Sequence, residues 1–186
     1  MTLARLVADA VELLERSEIP YMVTGSVASS YHGEPRATRD LDIVIHPEPQ
    51  SLEQLVTGLI AAGFYVDRTA ALEALPARSQ FNAIAADAEK IDFIIRRDRL
   101  FSVQEFSRRQ PADLLGTPGF IASVEDTIIA KLEWAATTES ERQLRDVAGM
   151  VAVGGDGIDH VYVERWVEAL GLQEAWRQVT NPGRTR

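Results

Sequence analysis

The sequence contains no cysteine, so neither a disulfide framework nor a thiolate-ligated metal site is possible. It also lacks any apolar run approaching the roughly 18–20 residues that are needed to span a bilayer. Residues 1–17 place acidic side chains within an apolar stripe and contain no continuous apolar segment, so we expect no secretory leader. These absences predict a soluble, cytoplasmic protein with no membrane partner.

Basic residues are scarce relative to acidic ones: 19 Lys and Arg against 28 Asp and Glu give a formal net charge of −9. This sign excludes a broad nucleic-acid-binding surface, which requires many Lys and Arg side chains. A polyphosphate partner must therefore be bound by local positive groups or by metal ions. The length of 186 residues and an apolar content of 46% suit one globular domain, or one domain with a small appendage.

Short apolar strands alternate with helical patterns through the first part of the chain. Apolar residues at helical spacing predict an N-terminal helix that ends before Pro20. Further helices are expected over 26–31 and 52–62, whereas 70–79 fit neither pattern. The predicted strands are 21–23, 41–45, 64–66, 81–86 and 91–95, of which the last two form a hairpin. We therefore predict an α/β (α+β) fold in which a mixed sheet is flanked by helices.

The second part of the chain has a helical pattern throughout. Ser123-Val124-Glu125-Asp126 resembles a capping box that opens a helix. Three further helices are predicted over 139–153, 159–170 and 172–179, and Asn181-Pro182-Gly183 leads into a terminal tail. We expect two regions: a core over 1–121 and a C-terminal helical bundle over 122–186.

Two carboxylates interrupt the apolar strand that begins near residue 40. Because side chains alternate in a strand, Asp40 and Asp42 should share one face while Leu41 and Ile43 share the other. Adjacent like charges repel each other unless a cation lies between them, and Mg²⁺ is a suitable cation for carboxylate oxygens. The alternative is that Asp40 merely begins the strand and that Asp42 faces solvent.

The surroundings of this pair favour the metal hypothesis. Gly25-Ser26 lies between a strand and a helix, where a sharp turn and unpaired N–H groups suit a phosphate. Arg36 and Arg39 lie in the following loop, where they are suited to meet a triphosphate. Asp92 is another acid in an otherwise apolar strand, and buried acids are uncommon without a reason. Three aspartates on neighbouring strands make a two-metal site a physical hypothesis.

The order of these residues resembles the signature of the polymerase-β-like nucleotidyltransferase superfamily. That signature has an apolar residue, Gly, then Gly or Ser, and, after a gap of about a dozen residues, Asp, an apolar residue and Asp or Glu. Val23 to Ser26 followed by Asp40-Leu41-Asp42-Ile43 matches it, and Asp92 matches the third carboxylate. The resemblance covers about residues 20–96. The helical remainder, and the run from Gly33 to Asp42, resemble small bacterial members: antibiotic nucleotidyltransferases and nucleotidyltransferase-type toxins.

The resemblance implies metal-dependent transfer of a nucleoside monophosphate from a nucleoside triphosphate to an acceptor hydroxyl, with release of pyrophosphate. It implies that Asp40 and Asp42 ligate two Mg²⁺ ions, and that Asp92 completes the metal site and acts as general base. It also implies that Gly25 and Ser26 position the β- and γ-phosphates. The acceptor stays open: a small molecule, an RNA end or a protein side chain.

The resemblance to toxin-like members further implies that the helix lysine Lys131 contacts the nucleotide, although a lone helical lysine is more often a solvated surface residue. Asp146, which follows Arg142 and Arg145, is interpreted as part of a surface charge cluster. Two other classes stay open. One is a non-catalytic or partner-regulated component of a toxin–antitoxin pair, with a small antitoxin-like protein as partner. The other is a metal-dependent sugar transferase, which the Gly-Ser turn and Asp92 fit less well.

Overall fold

The computed structural model of the protein describes residues 2–180, so the predicted tail at Asn181-Pro182-Gly183 lies outside the described residues. Within that range, seven strands form a single sheet. They are β1 (Tyr21–Thr24), β2 (Asp40–Ile45), β3 (Tyr65–Val66), β4 (Gln80–Ile84), β5 (Lys90–Ile95), β6 (Gln110–Leu114) and β7 (Thr117–Ile121). The sheet order is β3-β4-β5-β2-β1-β7-β6, which places β2 at the centre. Parallel β2–β5 and β1–β7 pairs make this a mixed sheet, as predicted.

The described residues also form nine α-helices and one short 3₁₀ helix at Gly155–Gly157. The first five are α1 (Leu3–Arg16), α2 (Gly25–His32), α3 (Pro49–Ala61), α4 (Arg68–Ala77) and α5 (Leu100–Ser107). The last four are α6 (Val124–Thr138), α7 (Glu141–Gly154), α8 (His160–Ala169) and α9 (Gln173–Thr180). No helix among residues 2–180 is both long enough and apolar enough to cross a membrane.

The chain divides into two compact units. The first consists of residues 2–26 and 37–122 and contains the whole sheet together with α1, α3, α4 and α5. The second consists of residues 27–36 and 123–180 and contains α6 to α9 with most of α2. The predicted fold class, a mixed sheet flanked by helices followed by a helical bundle, is confirmed.

Alternation along the central strands gives the sheet two different faces. One face is apolar along its length: Leu41, Ile43 and Ile45 on β2 are fully buried, as are Ile91, Phe93 and Ile95 on β5. The other face begins with the acidic residues of β2 and β5 and continues into the apolar cluster of Met22, Val44, Phe106 and Ala122. The acids therefore occupy the start of a face whose far end is covered by α5.

Four elements of the first unit, α4, α5, β6 and β7, were absent from the prediction. Most of residues 70–79, which fitted neither pattern, belong to α4, which ends at Ala77; Asp67 caps this helix by accepting a hydrogen bond from the Ala70 N–H at 3.0 Å. No element was predicted for 97–121, which form α5 and the β6–β7 hairpin. Pro111 and Pro118 lie in those two strands and lack a backbone donor, so the hairpin, which ends the sheet, has a weak strand pattern.

The second unit is a helical bundle in which α6 contacts α7, α8 and α9. Ser123 caps this helix as predicted: its Oγ accepts a hydrogen bond from the Asp126 N–H at 3.2 Å and donates one to Asp126 Oδ2 at 2.7 Å. Asp126 is fully buried, and its other oxygen accepts a hydrogen bond from the Tyr162 hydroxyl of α8 at 2.6 Å. The cap therefore also joins two helices of the bundle.

Candidate active site

The turn between β1 and α2 brings its backbone directly against one of the acids. Gly25 is the first residue of α2 and has a positive φ of 63°. A Cβ atom built at this glycine would lie 1.9 Å from Asp42 Oδ2 and 2.6 Å from Asp42 Cγ. No side chain fits in that space, so Gly25 is required both by its backbone conformation and by the close approach of the Asp42 carboxylate.

The acidic residues of β2 and β5 lie side by side because the two strands are parallel and in register. Asp42 is paired with Asp92, and Asp40 with Lys90. Directly opposite residues of neighbouring strands project from the same face, and residues two apart on one strand do so as well. The four side chains therefore form a square of three acids and one base on the two central strands.

Burial differs sharply across this square. Asp40 is exposed and Asp42 is half-buried, whereas Asp92 is only 8% exposed. Lys90 Nζ lies 2.7 Å from Asp92 Oδ2, and the Asp92 Oδ1 atom is buried with no hydrogen-bond partner among residues 2–180. The hydrogen bond to Asp92 raises the pKa of Lys90, and the charges of Asp92, Asp40 and Asp42 act in the same direction against the opposing effect of burial. Three acids against one base leave these four side chains with an excess of formal negative charge.

The chemistry of these side chains suits a divalent cation, although their present arrangement does not enclose one. Three carboxylates lie on adjacent positions, and one of them offers a buried oxygen without a partner. Such oxygen donors fit Mg²⁺. In the described part of the chain, no group of three or more His, Cys, Asp or Glu side chains is positioned to hold a metal ion. The ammonium group of Lys90 is the cation that Asp92 contacts.

The loop that leads into β2 is tied to the glycine turn through Thr38, which belongs to the run from Gly33 to Asp42 that carries the family resemblance. Thr38 Oγ1 lies 3.0 Å from Ser26 Oγ and 3.3 Å from the Asp40 nitrogen, which donates to it. Thr38 thus links the predicted phosphate-binding serine to the strand that carries the acids. Arg39 is exposed, and its carbonyl oxygen accepts a hydrogen bond from the Lys90 N–H at 3.4 Å.

The two other predicted nucleotide-binding residues, Arg36 and Lys131, belong to the second unit and share one carboxylate. Arg36 donates to Asp146 through Nε and Nη2, both at 3.1 Å. Lys131 Nζ donates to Asp146 Oδ2 at 2.7 Å and to Gln143 Oε1 at 2.8 Å. Lys131 is only 4% exposed, which differs from the solvated position expected of a lone helical lysine.

Asp146 was interpreted as part of a surface charge cluster, and that interpretation is wrong. Its side chain is only 10% exposed. Burial raises the pKa of Asp146, but the hydrogen bonds and charges of Arg36 and Lys131 together outweigh burial, so the pKa lies below its ordinary value. Sequence spacing alone did not reveal this, because the partners of Asp146 lie 110 and 15 residues away along the chain.

A cavity of about 330 Å³ adjoins this network within the second unit. Its lining residues are Glu34, Pro35, Arg36, Arg142, Arg145, Asp146 and Gly149. Arg36 Nη1 is buried and has no hydrogen-bond partner in the described range. Three arginines against two acids leave the lining positive, in a protein whose net charge is negative.

Several solved structures resemble this one over most of the chain. ANT(2″)-Ia in complex with adenylyl-2″-tobramycin aligns over 95% of this chain and 99% of its own, with a TM-score of 0.64 and 16% identity. The lincosamide antibiotic adenylyltransferase LnuA, lincomycin-bound, aligns over 82% of this chain and 98% of its own, with a TM-score of 0.57 and 14% identity. An antigenic nucleotidyltransferase-like protein from Paracoccidioides brasiliensis aligns over 94% and 92%, with a TM-score of 0.56 and 16% identity.

No family model matches the chain, and no curated protein matches it in sequence. At identities of 14–16% the structural likeness establishes the fold. The chain has the nucleotidyltransferase fold, and the resemblance found in the sequence is confirmed at that level.

Proposed function

We propose that the protein is a nucleotidyltransferase that transfers a nucleoside monophosphate from a nucleoside triphosphate to an acceptor hydroxyl. The observation that carries this proposal is the pairing of Asp42 with Asp92 on two central parallel strands, beside a glycine turn that leaves no room for a side chain. Two buried or half-buried like charges repel each other, and the single ammonium group of Lys90 offsets only part of that repulsion. The nucleotidyltransferase fold supports the same reaction class.

Residues 1–121 would form the catalytic core, and the side chains of Asp40, Asp42 and Asp92 would hold Mg²⁺. When bound, the metal would neutralise charge on the triphosphate and lower the pKa of the attacking hydroxyl. The buried and unpartnered Oδ1 of Asp92 supports this assignment, because a buried carboxylate oxygen without a hydrogen bond is costly in the absence of a ligand.

The reaction would proceed by attack of the acceptor oxygen on the α-phosphorus. A new P–O bond forms, the bond from the α-phosphorus to the bridging oxygen breaks, and pyrophosphate leaves. Asp92 would accept the proton of the attacking hydroxyl. Gly25 and Ser26 would position the β- and γ-phosphates, since their backbone N–H groups open α2. Thr38, which contacts Ser26, would hold that serine in place.

Positive side chains would bind the triphosphate oxygens and the departing pyrophosphate. Arg39 is exposed and available for this role. Arg36 and Lys131 both donate hydrogen bonds to Asp146. This shared carboxylate orients the two cations and neutralises part of their combined positive charge. The buried Nη1 of Arg36 still lacks a partner among the described residues, so this guanidinium retains a donor for an anion.

A small-molecule hydroxyl is the acceptor that we propose. Two of the similar structures contain an adenylylated or bound antibiotic, which supports this class. The net charge of −9 opposes a broad RNA surface. The alternative, a partner-regulated component of a toxin–antitoxin pair, instead predicts labelling of RNA or protein, or activity that changes when a small partner protein is added.

The decisive experiment incubates the protein with each α-labelled nucleoside triphosphate, Mg²⁺ and a set of acceptors. The acceptors are aminoglycosides, lincosamides, total RNA and cell-extract protein. We expect label on a small molecule, at least about a hundredfold less with Asp42→Asn, and none in chelator. Label only on RNA or protein would favour the alternative, and no transfer to any acceptor would contradict the proposal.

Asp67→Asn is a matched control for this assay. It removes the same charge from an exposed position, and asparagine caps a helix as well as aspartate does. Its activity should equal that of the parent protein. The two variants also differ in stability: because Asp42→Asn relieves repulsion from Asp92, it should leave metal-free stability unchanged or raise it by about 1 kcal/mol.

A further inference from the structure

Lys90 is unusual in this chain because lysine is so rare. Only two lysines, Lys90 and Lys131, occur among the 19 basic residues. Each of them forms an ion pair with a carboxylate whose side chain is about one-tenth exposed. Both lysines of the chain are therefore ion-paired with poorly exposed carboxylates, and all the other Lys and Arg positions are arginines.

Lys90 lies within the square formed by the paired residues of β2 and β5. It faces Asp40 across the strand pair and contacts Asp92 along its own strand, with Nζ 2.7 Å from Oδ2. The Lys90 side chain is one-third exposed, whereas that of Asp92 is 12% exposed. The flexible stem of a lysine at such a partly exposed position permits the ammonium group to withdraw into solvent without disturbing the strand.

The ammonium group of Lys90 satisfies only one of the two carboxylate oxygens of Asp92. Its Oδ2 atom has the lysine, but its Oδ1 atom is buried without a partner in the part of the chain that the structure describes. A single ammonium group cannot neutralise three neighbouring carboxylates. The residue is more than nine-tenths buried, so solvent does not replace the missing contact.

We propose that Lys90 is a tethered counter-cation that stabilises the metal-free site and competes with the divalent cation for Asp92. This inference rests on the proposed metal-dependent function. Lys90 balances part of the negative charge when no metal is bound, which limits repulsion between Asp42 and Asp92. A metal ion on Asp92 would lie close to this ammonium group, and two cations on one carboxylate repel each other, so metal binding favours withdrawal of Lys90 from Oδ2. Lys90 thereby sets the metal affinity of the site.

The test replaces Lys90 with methionine, which keeps an unbranched side chain close to the length of the lysine stem and removes the charge. Mg²⁺ alone is the probe, and both its dissociation constant and the midpoint of thermal unfolding are measured. We expect Lys90→Met to unfold at a lower temperature than the parent protein without metal, and to bind Mg²⁺ about tenfold more tightly or better. The difference in unfolding temperature should vanish or reverse at saturating Mg²⁺.

Arg16→Met is the matched control. It removes one positive charge from an exposed i, i+4 ion pair with Glu12 on α1. It should change neither the Mg²⁺ affinity nor the response of the unfolding temperature to Mg²⁺. A Lys90→Met variant that is destabilised equally with and without Mg²⁺, at unchanged affinity, would show that the ion pair is structural and would overturn the inference.

A measurement on the unmodified protein covers the case in which Lys90→Met does not fold. Labelling with ¹³Cε-lysine gives two side-chain signals, because the chain has two lysines, and a Lys131→Arg variant assigns them. Addition of Mg²⁺ should shift the Lys90 signal with the same saturation curve as the unfolding temperature. A Lys90 signal that stays unchanged while Mg²⁺ stabilises the protein would contradict competition.

The same data separate this inference from the proposed function. If nucleotidyl transfer occurs but Lys90 has no influence on Mg²⁺ binding, the inference fails and the function stands. If Mg²⁺ displaces Lys90 but no acceptor is labelled, the inference stands and the proposed activity fails. Absence of any Mg²⁺ binding by the parent protein would overturn both.

Discussion

Replacing Gly25 with alanine should destabilise the first unit for two separable reasons. The first is backbone conformation: a non-glycine residue at the positive φ of 63° costs about 1–2 kcal/mol. The second is overlap: the new methyl group would lie 1.9 Å from Asp42 Oδ2, and inserting atoms into a filled space costs about 1–3 kcal/mol. The two effects together predict a loss of about 2–5 kcal/mol in the free energy of unfolding.

Gly171→Ala isolates the first of these effects. Gly171 also has a positive φ, 71°, but a Cβ atom built there meets nothing within 4 Å. Its replacement should therefore cost only the backbone term of about 1–2 kcal/mol. Urea denaturation followed by far-ultraviolet circular dichroism gives both values, and the excess loss in Gly25→Ala measures the overlap with Asp42.

A double-mutant cycle identifies the clashing partner. Asp42→Gly removes the carboxylate and its Cβ, which a Cβ at position 25 would approach to 2.8 Å. In that background Gly25→Ala should cost about 1–3 kcal/mol less than in the parent protein. If Gly25→Ala costs no more than Gly171→Ala, or if the cycle shows no coupling, the close approach of the turn to Asp42 is not the reason for a glycine at this position.

Two further predictions concern the second unit. Asp146→Asn should lower the free energy of unfolding at pH 7 by about 1–3 kcal/mol, because it leaves two cations of a partly buried network short of a partner. The pKa of Asp146 in the folded protein lies below 3.8, so the stability that its charge contributes is complete above pH 3.8 and is lost as the pH falls through the folded pKa. Denaturation measured as a function of pH should therefore show the stabilities of the parent protein and Asp146→Asn converging in that acidic range. Ser123→Ala should lower the free energy of unfolding by about 1–3 kcal/mol, because it removes the α6 cap and the hydrogen bond to buried Asp126. Ser140→Ala is the control and should cost little, because Ser140 precedes α7 without a side-chain cap. Equal losses of the two variants in thermal unfolding would contradict this prediction.

Local patterns in the sequence determined much of the first unit. The alternation of Asp40 and Asp42 with Leu41 and Ile43 specifies which residues share a face, because the side-chain period of a strand is fixed at two. Gly25 was identified as a turn because glycine is the residue that tolerates a positive φ at little cost. The Ser123 cap was also predictable, because it depends only on residues three positions apart in the sequence.

Tertiary structure decided which of these residues meet. The sequence predicted that Asp92 lies on a neighbouring strand, but only the register of β2 with β5 pairs it with Asp42. That register follows from burial of the apolar face over many residues, which no local window contains. The ion pair between Lys90 and Asp92 could have been predicted from the sequence, because the two residues lie two positions apart on one strand. The proximity of Lys90 to Asp40 could not, because it depends on the pairing of β2 with β5.

The network around Asp146 depended on the fold alone. Its partners Arg36 and Lys131 come from distant parts of the chain, and each of these residues by itself has the sequence pattern of a solvated charge. A buried charge is stable only when its partners are assembled around it, and that assembly requires the helices to pack first. The sequence by itself therefore determined the strand faces, the glycine turn and the helix cap, since these obey short-range rules. Only the tertiary structure decided the charge pairs, because electrostatic partners are set by distance in space and not by spacing along the chain.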